Sequence, residues 1–126
     1  MTPDRLVRLA LWITVPLNAL GVWILTPPAF GRPSALWPIA TPPYFAAQLG
    51  IVIALFGGVY AWQATQRTLN RAVIVVGALG KAAFFVLNVV YAAAGQIPTA
   101  MAYQSAPDLL LACAFLYWAA RVGIPQ

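Results

Sequence analysis

The sequence predicts an all-α polytopic membrane protein, a four-transmembrane-helix bundle built as a single membrane domain over residues 1–126. Composition gives the first reason. Hydrophobic residues make up 63% of the chain and charged residues only 7%, against about one quarter charged in soluble globular domains. Segmentation gives the second: four apolar stretches, each near the roughly 20 residues that cross a bilayer, take up almost the whole length. The third is charge placement, because the basic residues collect at the ends of those stretches.

The first span covers residues 6–25, LVRLALWITVPLNALGVWIL. Thr26-Pro27-Pro28 is expected to stop it, since proline lacks the N–H a helix needs and its ring crowds the preceding turn. The basic start resembles a signal-peptide core. The long apolar run, followed by consecutive prolines with no small-x-small cleavage site, predicts that the segment stays attached. The outer loop, residues 26–43, TPPAFGRPSALWPIATPP, holds six prolines, which bias it to extended and turn geometry. It reads as a stiff connector or as a lid lying across the outer mouth.

The second span, residues 44–62, carries Ala46, Gly50, Ala54 and Gly58 at every fourth position, with Gly57 beside them. Helices in lipid pair through close backbone approach, so this ridge predicts a docked helix, from the same chain or from another. The third span covers 72–93. The fourth covers 107–121, with Pro107 in its first turn, where a missing N–H is harmless.

The net charge of +5 does not mark a nucleic-acid binder, because the arginines form no stripe. Arg5 and Arg8 precede the first span, Arg67 and Arg71 lie between the second and third, and Arg121 closes the fourth, whereas Arg32 stands alone on the other side. The positive-inside rule therefore predicts a cell inner-membrane protein with cytoplasmic N- and C-termini. Trp23, Trp37, Tyr44, Trp62, Tyr91 and Trp118 lie near span ends or in the outer loop and read as interfacial anchors.

Histidine is absent and Cys113 is the one cysteine, which argues against histidine-ligated haem, a zinc centre or a dithiol pair. No metal or other cofactor is expected. Cys113, in the middle of an apolar run, reads as a small buried hydrophobe. Gly77 to Lys81, GALGK, lacks both the upstream glycine and the following Ser or Thr of a phosphate-binding loop.

Lys81 and Asp108 are the only charges placed well inside spans. At 1.5 Å per residue Lys81 lies about 15 Å from Arg71 and Asp108 about 19 Å from Arg121, so an ion pair between the third and fourth spans is allowed. Asn18, Gln48 and Asn88 fall in the outer half of the first, second and third spans. Together with Phe84 and Phe115 they suggest a polar ligand-binding pocket made of Asn18, Gln48, Lys81, Phe84, Asn88, Asp108 and Phe115, with Pro16 kinking the first span beside it. The plainer reading of the same residues is a set of interhelical contacts that fixes register.

The layout of these features is similar to that of the small bacterial DoxX-like four-helix membrane proteins. The features are Pro27 and Pro28 after the first span, Gly50, Gly57 and Gly58 in the second, the Arg67–Arg71 turn, Gly77 through Lys81, and Asp108 opening the fourth. The resemblance is at the level of fold and implies no activity.

Three functions follow as expectations. The first is a pocket for a small amphipathic or lipid-like molecule, or an accessory subunit of a membrane complex. The second is an intramembrane acid–base enzyme of isomerase or cyclase type, with Asp108 exchanging the proton and Lys81 beside it. The third is a small proton-coupled transporter, although the first span lacks the acidic residue that small multidrug exporters carry there. Membrane lipid, a hydrophobic or amphipathic ligand, and a second copy or another membrane protein are the partners implied.

Overall fold

A computed structural model describes residues 1–122. The extreme C-terminus, whose side of the membrane belongs to the topology expectation, lies outside the described residues. Every regular element is a helix: α1 (Pro3–Ala29), α2 (Pro43–Thr65), α3 (Arg71–Ala93), α4 (Thr99–Gln104) and α5 (Ala106–Val122). Three of these, α1, α2 and α3, are long and apolar enough to cross a membrane. At 17 residues α5 is shorter, about 25 Å at 1.5 Å per residue.

The contacts divide the chain into two compact units, one of residues 1–10 with 66–126 and the other of residues 11–65. In the first, α3 packs along α5, and α4 packs on both. Polar contacts close one end of it. Arg8 Nη2 donates to the Arg67 carbonyl at 2.9 Å, Arg71 Nε donates to the Ala119 carbonyl at 3.0 Å, and Trp118 Nε1 donates to Asp4 Oδ1 at 2.6 Å. Ala119 lies in the last turn of α5, where helical carbonyls lack partners, so Arg71 both satisfies one and complements the negative end of the helix. Asn70 caps α3, its side chain accepting from the Val73 N–H.

In the second unit the part of α1 from Leu11 onward packs against α2 through small residues. A Cβ on Gly57 would stand 3.2 Å from Asn18 Cβ, and one on Gly21 would stand 3.4 Å from Ile53 Cγ2. Asn18 Nδ2 donates to the Ile53 carbonyl at 2.9 Å. The tight face of α2 is therefore Ala46, Gly50, Ile53 and Gly57. The expected ridge is displaced at its far end, because Ala54 is exposed and a Cβ on Gly58 would meet nothing within 4 Å.

Helix α1 runs through Pro27 and Pro28, beyond its expected end. Proline's own φ suits a helix; the pair withholds donors from the Trp23 and Ile24 carbonyls, a loss confined to the last turn, while the Pro27 and Pro28 carbonyls accept the bonds that close the helix. The helix stops at Gly31 instead. With φ of +72° this glycine adopts the left-handed conformation, its N–H donating to the Pro28 carbonyl while that of Arg32 reaches the Pro27 carbonyl, the Schellman arrangement. Gly95, at φ +73°, ends α3 the same way, with bonds from Gly95 to Ala92 and from Gln96 to Tyr91. The proline-rich loop thus shortens to residues 30–42. Trp37 Nε1 donates to Thr41 Oγ1 within it, and a half-open, mostly apolar groove of about 380 Å³ lies where Ser34–Leu36 face Trp23–Pro27.

Candidate functional site in the first unit

Lys81 reaches Asp108 directly, Nζ to Oδ1 at 2.9 Å. Two contacts fix how α3 and α5 run past one another. Arg71 is level with Ala119, and from that level Lys81 lies about 15 Å along α3 while Asp108 lies about 16 Å back along α5. The antiparallel helices therefore bring the two charges to the same height. Lys81 is 7% exposed and Asp108 25%, so the ammonium is enclosed while the carboxylate keeps an open side.

The position of Asp108 has a local cause. In a continuous helix the Pro107 nitrogen would face the Tyr103 carbonyl without a proton to give, and its ring would clash there. The chain breaks between α4 and α5 at Ser105, whose hydroxyl donates to the Ala102 carbonyl at 2.7 Å. Asp108 then falls in the first turn of α5, its N–H donating to the Ser105 carbonyl at 3.0 Å. Here a carboxylate is favoured by the positive end of the helix, while Arg121 occupies the last turn.

Asn88 lies two turns beyond Lys81 on the same face of α3. Its residue is 7% exposed, and among the described residues nothing hydrogen-bonds its side chain. Every fully buried side-chain N or O atom among them has a partner. The Asn88 amide must therefore reach the surface through the small fraction left open. Water would satisfy it in solution, but hydrocarbon offers nothing.

Compared with known proteins, the chain matches no family model, no curated protein and no solved structure. The geometry alone therefore speaks for the site.

Of the expected pocket residues, the structure joins Lys81 with Asp108 and sets Asn88 on their face. Phe115 is fully buried, but it lies two turns from Asp108 toward the arginine end, the opposite direction from Asn88. Phe84 is 39% exposed and forms an outer flank. Asn18 and Gln48 belong to the second unit, where the Asn18 amide is held by Ile53 and Gln48 is exposed on α2. Cys113 is exposed on α5, against the expectation of burial. Trp118, expected as an interfacial anchor, is buried and tethers Asp4, whereas Trp23, Tyr44, Trp62 and Tyr91 are exposed as anchors require. The one signal for the Trp118 contact was Asp4, an acid standing beside an otherwise basic N-terminus.

Proposed function

We propose that this chain is a four-span inner-membrane protein, with cytoplasmic N- and C-termini and a DoxX-like layout, that binds a small amphipathic or lipid-like molecule at Asn88 and the Lys81–Asp108 pair. The observation that carries the reading is the Asn88 amide, unpartnered among the described residues and opening to the surface on the same face as the Lys81–Asp108 ion pair. Charges within apolar spans are costly and mostly functional. The amide offers two donors and an acceptor, matched by an alcohol, carbonyl or amide head group. Phe84 and Tyr91, one turn to either side of Asn88 and both exposed, offer the apolar body of the ligand a flank.

The test is native mass spectrometry of protein extracted gently from membranes. A small mass bound at one per chain, retained in the wild type and lost in a folded Asn88→Leu variant, is the expected result. Wild-type protein that releases bare chain under conditions preserving its helices would end this reading.

A second reading draws on the open side of Asp108. Only Oδ1 meets Lys81, and Oδ2 accepts no hydrogen bond among the described residues. Such an oxygen can take a proton from, or return one to, a lipid-soluble substrate held at Asn88, as in an isomerase or cyclase. Asp108→Asn, which keeps the shape and loses the proton exchange, separates the two readings: binding survives in both, and turnover of the identified ligand disappears only in the second.

A further inference from the structure

The arginine end of the first unit holds more charge than its own contacts neutralise. Arg5, Arg8, Arg67, Arg71 and Arg121 are brought there by the three hydrogen bonds that tie the start of α1, the start of α3 and the end of α5. Among the described residues the only acid there is Asp4, and one of its oxygens already accepts from Trp118. Arg71 is engaged through Nε by a carbonyl rather than a carboxylate, and Arg121 stacks over the Tyr117 ring at 5.2 Å. Arg5 and Arg67 are exposed, and among the described residues their guanidinium groups meet no acceptor. Arg5 lies one turn before Arg8 on α1, and Arg8 touches the Arg67 carbonyl, so these three form one cluster.

Topology alone would require positive charge at this end, but lysine would serve as well. All five residues are arginine, and the chain's one lysine is Lys81 in the span. Arginine's planar fork matches the paired oxygens of a phosphodiester. The N-termini of α1 and α3 lie at the same end, so two positive dipole ends stand there against the one negative end of α5. Exposed apolar side chains follow directly along the helices, Leu9 on α1 and Val76 and Leu79 on α3. A ligand anionic at one end and apolar beyond it fits that sequence of surfaces.

We infer that the arginine end binds the phosphodiester head group of an anionic phospholipid, with Arg5 and Arg67 as its principal contacts. This rests on α1 and α3 crossing the bilayer and not on the Asn88 site. The test titrates full-length protein in neutral detergent with phosphatidylglycerol and, separately, phosphatidylcholine of the same chain length, reading bound lipid by native mass spectrometry.

Wild-type protein should prefer phosphatidylglycerol. Each arginine near an anionic head group contributes about fivefold, so Arg5→Gln with Arg67→Gln should weaken that lipid about 25-fold and phosphatidylcholine, whose choline cation offsets the same phosphodiester, by much less. Among the described residues neither guanidinium makes an internal bond, so the double variant should keep its helices; Arg67→Gln alone, with about a fivefold loss, stands in if it does not. Arg32→Gln removes equal charge from the other unit and should leave the preference intact. The inference fails if wild type shows no preference, if the double variant retains it, or if Arg32→Gln abolishes it equally. It fails also if millimolar inorganic phosphate displaces the lipid completely, which would mark a site for the free anion.

Discussion

Removing the Asp108 carboxylate takes the ion-pair partner from an ammonium group that has almost no access to solvent. In Asp108→Ala, Lys81 keeps its enclosed position but loses the partner at 2.9 Å. Breaking one side of a buried ion pair costs about 3–5 kcal/mol in soluble proteins, and a lysine at the centre of an inserted helix costs about 2.5–3.5 kcal/mol. Asp108 is a quarter exposed, so some of its field is already screened, and the loss falls at or slightly below the foot of these ranges. The expected loss is about 2–3 kcal/mol, roughly a 30- to 150-fold fall in the folding equilibrium. The double variant Lys81→Met with Asp108→Leu removes both charges and fills the space, and should lie within about 1 kcal/mol of wild type. Unfolding in mixed micelles of rising dodecyl sulfate content, followed by circular dichroism, gives the three free energies for direct comparison. A loss under about 0.5 kcal/mol for Asp108→Ala would refute the argument, as would a double variant no more stable than the single one.

Two further perturbations test packing. Gly57→Ala places a methyl group 3.2 Å from Asn18 Cβ, and such overpacking should destabilise by about 1–2 kcal/mol. Gly58→Ala meets nothing within 4 Å and should be neutral or slightly stabilising, so equal effects in the same unfolding assay would show that α1 docks on a different face of α2. Trp118→Phe keeps the buried ring but removes the bond to Asp4. It should lower stability by about 1 kcal/mol and speed amide hydrogen exchange over the first turns of α1, whereas unchanged exchange there would mean that Asp4 does not hold the end of α1.

Hydropathy exposed the long helices because a span must satisfy its backbone internally and clothe itself in apolar side chains. The same uniformity concealed their faces. Helix α2 is apolar all round, so a period of four could not tell Gly58 from Gly57, and the choice fell to whichever glycine met Asn18. The Lys81–Asp108 pair was legible because depth follows from a fixed rise per residue, and two charges of opposite sign at one height have few alternatives. The pocket's walls were not. Depth says nothing of direction along the neighbouring helix, which is why Phe115 falls on the arginine side of the pair and Phe84 turns outward. Helix α4 was hidden because its six residues carry no long apolar run, and the end of α1 because proline's effect depends on where in the last turn it falls.

The break between α4 and α5 acquires a meaning from the height of the ion pair. Lys81 stands about 15 Å from the Arg71 end of a bilayer core about 30 Å thick, so on the four-span reading Asp108 sits near mid-depth and the residues before it are still within the outer half. Ser105 is then about 20 Å from the arginine end and Asn88 about 25 Å. Non-helical backbone at such depth is tolerated only where protein or a cavity surrounds it. The Ser105 hydroxyl takes up the Ala102 carbonyl and the Asp108 N–H takes up that of Ser105, which satisfies the break from within. In discontinuous membrane helices, polar ligands are commonly held where the helix is interrupted, by the dipole end of the second half. Here the positive end of α5 already faces a carboxylate, so any polar group arriving at Asn88 meets a neutralised pair rather than a bare charge. That favours an uncharged head group over an ionic one, and it distinguishes the ligand proposed for this site from the anionic lipid inferred for the arginine end.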